Sequence, residues 1–154
     1  MTTVTTPRMV QALSAEHRER LMSLAREVTF PAGTRLFNEG GRADRFWIIR
    51  SGTIALDMRV PGYRAPVIER LGFDELVGWS WLFPPHVWQL GAETVSPVCA
   101  HEFEAAAVRR MCGRDPAFGR DVGQWVGKIL AHRLQAARTR LLDLYAPYGS
   151  GGNR

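Results

Sequence analysis

Cysteine is scarce in this sequence: Cys99 and Cys112 are the two among 154 residues. Two thiols make no disulfide framework and lack the C-x-x-C spacing of a metal or redox site, so both read as small buried hydrophobes. Lysine is scarcer still, Lys128 being the single one, so arginines carry the formal net charge of +5. They are spread from Arg8 to Arg154 with no block of five or more, a pattern that permits attraction to phosphates without defining a nucleic-acid face. Arg, Asp or Pro interrupts every apolar run before the roughly 18–20 residues that a membrane span needs. The leading MTTVTTPRMVQAL lacks the basic-then-apolar order of a secretory signal, so a cytoplasmic location without a membrane partner is expected. Also missing are G-x-S-x-G, H-E-x-x-H and a Gly-rich loop ending in Lys-Ser/Thr. The acidic pairs Asp74-Glu75 and Glu102/Glu104 read as turn and strand-face residues, so no catalytic residue is assigned and the protein is not read as an enzyme.

What is present is one domain's worth of chain, 45% hydrophobic, with 15 Gly and 9 Pro scattered along it. Ser14 to Arg26 reads as a helix, capped by Ser14 and carrying Leu21, Leu24 and Ala25 at helical spacing. From Val28 the texture changes to short apolar runs divided by Pro31-Ala32-Gly33, Gly40-Gly41, Ser51-Gly52 and Pro61-Gly62. Regular punctuation of that kind predicts an antiparallel barrel or roll. Ile54, Leu56 and Met58 alternate and should share one face, and further strands are expected at 66–70, 89–95 and 98–103. After Glu104 the pattern becomes helical: a short helix closed by Gly113, then a long one starting at Asp115-Pro116 and reaching about Tyr145. The expected domain is 13–145, with the roll over about 28–104, closing helices over about 105–145, and flexible tails at 1–12 and 146–154.

Phe30-Pro31-Ala32-Gly33, Phe37-Asn38-Glu39-Gly40, Asp44-Arg45-Phe46-Trp47-Ile48-Ile49 and Ser51-Gly52-Thr53-Ile54 follow one another in order. The series resembles the F-x-x-G, F-x-E-G, D-x-x-Y-x-I and x-G-x-V motifs of the cyclic nucleotide-binding domain. That family includes catabolite activator-type regulators, kinase regulatory subunits and gated channels, and the resemblance covers about Leu13 to Leu144. It implies a mostly β fold, an antiparallel β-roll of jelly-roll type, with an N-terminal helix and a long C-terminal helix. Gly33, Gly40 and Gly52 would occupy its tight turns, where positive φ is cheap only for glycine.

The resemblance weakens at the phosphate-binding cassette. There the family carries a G-E-L-A glutamate for the ribose and a P-R-A-A arginine for the cyclic phosphate. Here Gly78 matches the cassette glycine, Trp79 stands at the glutamate position, and Gln89 or Leu90 at the arginine position. No arginine lies between Arg70 and Arg109. Loss of a bidentate arginine costs on the order of 2–5 kcal/mol, so cyclic AMP and cyclic GMP are not expected by the standard mode. Trp79, Trp81, Phe83 and Trp88 either plug the vacated pocket or line a remodelled one for a flat effector. In the second case Ser80, His86 and Gln89 supply the polar groups, and Arg133 of the closing helix is the candidate replacement cation.

Some relatives of this fold hold haem. The candidate ligands His17, His86, His101, His132, Cys99 and Cys112 form no H-x-x-x-H or C-x-x-C pattern, so no metal or haem is expected and the cofactor is unknown. His17 and His132 read as residues of solvated helix faces. The family's DNA-binding regulators place a helix-turn-helix after the long helix, whereas this sequence ends about ten residues beyond it. No direct sequence-specific DNA reading is therefore expected, and Arg133, Arg138 and Arg140 read as a solvated or ion-paired face. Leu130, Leu134, Ala137, Leu141 and Leu144 step by four, three, four and three, a heptad seam that predicts a homodimer. The function read from all this is a stand-alone regulatory or sensor module signalling by movement of the closing helix, with a small-molecule effector or a protein partner. The alternatives are a ligand-free dimeric scaffold and a transcription regulator acting through a separate DNA-binding subunit.

Overall fold

Ser14 does cap the first helix: its hydroxyl accepts from the His17 backbone N–H at 3.2 Å. The computed structural model describes residues 12–145, so all of the two expected tails but Ala12 lies outside the described residues. Helix α1 runs Ala15–Met22 and stops four residues before the predicted Arg26. Ser23 bonds its hydroxyl back to the Arg20 carbonyl, and the β-prone Val28-Thr29-Phe30 is already extended in β1, Arg26–Phe30.

The remaining strands are β2 Arg35–Phe37, β3 Arg45–Ser51, β4 Ile54–Asp57, β5 Val67–Leu71, β6 Leu76–Val77, β7 Gly91–Thr94 and β8 Val98–Glu104. They pair into two four-stranded antiparallel sheets, ordered β1-β8-β3-β6 and β2-β7-β4-β5, which is the expected roll of jelly-roll type. Gly33, Gly40 and Gly52 sit at φ +81°, +89° and +91° in the turns between them. In β3 the four residues Phe46 to Ile49 are all buried, so both faces of that strand are covered. Met58 breaks the expected alternation. Strand β4 ends at Asp57, Met58 is 41% exposed, and the outward positions Ala55 and Asp57 are buried.

Helix α2 spans Ala105–Arg114 and α3 spans Pro116–Tyr145. Gly113 does not close α2; the helix runs past it, and Asp115 takes over as the cap of α3 by accepting from Phe118 N–H at 3.2 Å. Phe118, Val122, Trp125, Val126 and Ile129 of α3 are buried, each contributing about 1.5–3 kcal/mol of burial. The same helix is tied to α1 by His17 Nδ1, 2.6 Å from Asp121 Oδ2, and by an ion pair between Arg20 and Asp115. His17 is therefore a half-buried partner of Asp121 rather than a solvated residue, and its bond holds the Asp121 carboxyl below the usual carboxylate range. Cys99 and Cys112 are free and half-buried, not fully buried. No helix among the described residues is long and apolar enough to cross a membrane.

Candidate effector site

Strand β6 is followed by Gly78, whose φ of +97° turns the chain towards a short 3-10 turn, Ser80–Leu82. The following loop returns to β7 and brings Trp88 back over Gly78. A Cβ built on Gly78 would lie 2.6 Å from two atoms of the Trp88 ring, so the absence of a side chain there is what lets the indole settle. The Trp88 main chain is fixed from the other side: its N–H donates to Gly41 O and its carbonyl accepts from Gly40 N–H, both at 2.8 Å. Its ring stacks on Phe37 with centroids 3.8 Å apart and planes 13° apart. The glycine turn after β2 thus anchors the aromatic residue that covers the cassette glycine.

Phe37, Leu56, Gly78, Trp79, Ser80 and Trp88 line the resulting space together with Gln89, Leu90 and Arg133. The cavity they leave measures about 10 Å³, room for a single water molecule at most. Of the residues singled out in the sequence, Gly78, Trp79, Ser80, Trp88, Gln89 and Arg133 meet here. Trp81 does not: it is fully buried in the core, stacked on Phe46 at 4.0 Å, with its indole N–H on Gly78 O at 3.0 Å. His86 does not either, because it takes a left-handed backbone (φ 58°) and faces a separate hollow lined by Arg42, Arg45 and Arg109. Trp79 stays half-buried, edge-on to Phe83 with centroids 6.2 Å apart. Gln89 is exposed and turns its amide back to Val87 O at 3.3 Å. Sequence reasoning missed Phe37 and Leu56 as lining residues; Phe37 was visible only as part of a turn motif, and Leu90 only as one of two places for the family's arginine.

Among the described residues Arg133 is the one cation lining this cavity, and it is already engaged. Its Nη2 donates to Leu76 O at 2.6 Å and its Nε lies 3.7 Å from Glu69 Oε1. Burial pushes its pKa down while Glu69 and Glu75 oppose the shift. Burial likewise pushes the Glu75 carboxyl up, against the Gly72 N–H bond and Arg133. One heptad further along α3, Arg140 donates to the Ile68 carbonyl of β5. Arg133 is thus ion-paired, as expected of this face, and together with the exposed Arg140 it ties the far half of the helix to the edge of the roll.

Two antiparallel sheets rolled face to face, a left-handed glycine opening a cassette loop, and a long helix laid across it define an effector-domain β-roll. Residues 27–115 match the family model described as the cyclic nucleotide-binding domain, and the chain belongs to that family. Among curated proteins it is similar to the CRP-like cAMP-activated global transcriptional regulator of Mycobacterium tuberculosis (strain ATCC 25618 / H37Rv). The two are 29% identical over 117 residues, 76% of this chain and 50% of that protein, so the chain spans about half the length of that relative. Among solved structures it resembles a cyclic nucleotide-binding domain from Methylobacillus flagellatus KT. There the TM-score is 0.76 at 19% identity, covering 84% of this chain and 72% of the other. It also resembles the Thermus thermophilus catabolite activator protein, with a TM-score of 0.68 at 22% identity over 87% of this chain and 61% of that one.

Proposed function

We propose that this chain is a regulatory module whose effector pocket is filled by its own aromatic side chains and whose closing helix is read by protein contacts, the first of them with a second copy of itself. The observation that carries the reading is Trp88 seated over Gly78 and stacked on Phe37, leaving about 10 Å³. Trp79, and Gln89 or Leu90, at the positions where the family holds its glutamate and arginine support it further. A cyclic phosphodiester would have to displace Trp88 and then find its charge matched by Arg133 alone, which would first leave the Leu76 carbonyl. Calorimetry is therefore expected to show cyclic AMP and cyclic GMP binding no tighter than about 0.1 mM. Low-micromolar binding of either would overturn the filled-pocket reading.

Arg133 at the edge of the cavity favours one second reading, a sensor for a flat anionic effector that exchanges places with Trp88. Such a ligand would raise the melting temperature by mass action. A thermal-shift series of cyclic mono- and dinucleotides and flat aromatic acids that leaves the transition in place would remove it.

The partner contact rests on α3. Beyond Leu130, which is half-buried, the seam residues Leu134 and Leu144 are 66% and 73% exposed, and Ala137 and Leu141 are exposed as well. A stripe of leucines at heptad spacing that the described residues leave exposed fits a parallel helix pair. Light scattering at micromolar concentration should return twice the 17.3 kDa chain mass. Leu134→Glu with Leu141→Glu should return the single mass. A monomeric wild type, or a dimer indifferent to both charges, would show that the seam is not the interface.

A further inference from the structure

Away from the effector cavity, the outer face of the β2-β7-β4-β5 sheet carries an open groove of about 610 Å³. Ile54 and Leu56 of β4 point into the roll, so Ala55 and Asp57 point outward, yet Asp57 is only 8% exposed. It is covered by Arg35, which reaches from β2 across β7 and grips the carboxylate with both terminal nitrogens, at 2.5 and 2.8 Å. Gly91 lies between them, and a Cβ there would sit 2.2 Å from the guanidinium. Arg35 Nε is taken by Asn38 Oδ1 at 2.8 Å. The floor of the groove is therefore a closed, neutral ion pair with no free donor on Arg35 Nε.

The walls are different. Arg64, from the loop before β5, and Arg70, from β5 itself, line the groove and make no ion pair or side-chain hydrogen bond among the described residues. Val67 and Val95 on the same groove are 45% and 50% exposed. Glu93 is the single wall carboxylate, shared with Arg35 at 3.4 Å. Two uncommitted guanidinium forks call for carboxylate-type oxygens, which they bind bidentately. Two exposed valines beside them call for apolar contact. A small-molecule site would enclose most of its ligand, whereas this groove is open to solvent. An extended chain that carries both acidic and small apolar side chains along its length meets all three features, because an open groove can contact many residues of such a chain in succession.

We propose that this groove is a docking surface for an extended acidic segment of a partner protein, held by Arg64 and Arg70 against the Arg35–Asp57 floor. The inference is independent of the filled pocket, since the groove shares no residue with it. The probe is a fluorescein-labelled peptide of about ten residues alternating Glu and Ala, titrated by anisotropy at low salt. Saturable binding below about 1 mM is expected, weakened at least about tenfold by Arg64→Glu with Arg70→Glu. The milder pair Arg64→Gln with Arg70→Gln should weaken it in the same direction and guards against misfolding. Arg120→Gln, at an exposed position outside the groove, should leave it unchanged, and a peptide with Gln in place of Glu should not bind. The proposal fails if the reversed charges bind the peptide as the wild type does, if the Gln peptide binds equally, or if no saturable binding occurs. Displacement of the peptide by inorganic phosphate at matched ionic strength would make this a small-anion site and would equally overturn it.

Discussion

Trp88→Ala is expected to lower stability by about 3–5 kcal/mol, the usual cost of emptying a site built around a large aromatic ring. Trp88 is 4% exposed and lies flat on Phe37 at 3.8 Å, so its removal forfeits both burial and stacking. The hole cannot simply collapse, because the backbone on either side is pinned by the bonds to Gly40 and Gly41. A loss of that size consumes much of the 5–15 kcal/mol of a typical domain, so urea midpoints read at low temperature are the suitable measure. Indole at about 1 mM should restore part of the loss in the variant by occupying the vacated space, and do nothing to the wild type. Trp79→Ala, at a half-buried position, should cost only about 1–2 kcal/mol. A loss under about 1 kcal/mol for Trp88→Ala would mean that the ring does not fill the site in solution.

Gly78→Ala should be the second large effect, and its origin can be separated. A residue with a side chain at φ +97° pays about 1–2 kcal/mol for the left-handed backbone. The added methyl meets the Trp88 ring at 2.6 Å, and overpacking of that kind costs a further 1–3 kcal/mol or so. Combined with Trp88→Ala, the second part should vanish and the backbone part remain. The double-mutant cycle should therefore show a coupling of roughly 1–3 kcal/mol. Equal costs for Gly78→Ala in both backgrounds would show that the two residues do not touch.

The roll was readable because its turns are written in glycine. Gly33, Gly40 and Gly52 each sit at the positive φ that their spacing required. Strand β6 was not readable, since two residues, Leu76–Val77, cannot display a period of two. The end of α1 was misplaced because Leu24 and Ala25 keep helical spacing while the chain has already left the helix at Ser23. At the site, composition announced the aromatics but not their directions. Trp81 and Trp88 lie in one loop and look alike as letters, yet one faces the core and the other the pocket. The Arg35–Asp57 pair was invisible for another reason. The two residues are 22 positions apart on strands separated by β7, so only the sheet order brings them together.

The two clips on the closing helix have a mechanical consequence. Arg133 and Arg140 are seven residues apart, so they lie within about 20° of each other around the helix. The leucine seam is centred about 70° away on the same cylinder. Both guanidiniums ride on one continuous helix, so a rotation of that helix would move them together relative to the Leu76 and Ile68 carbonyls. Arg133 also lines the cavity beside Trp88, so the inner clip and the filled site share one residue.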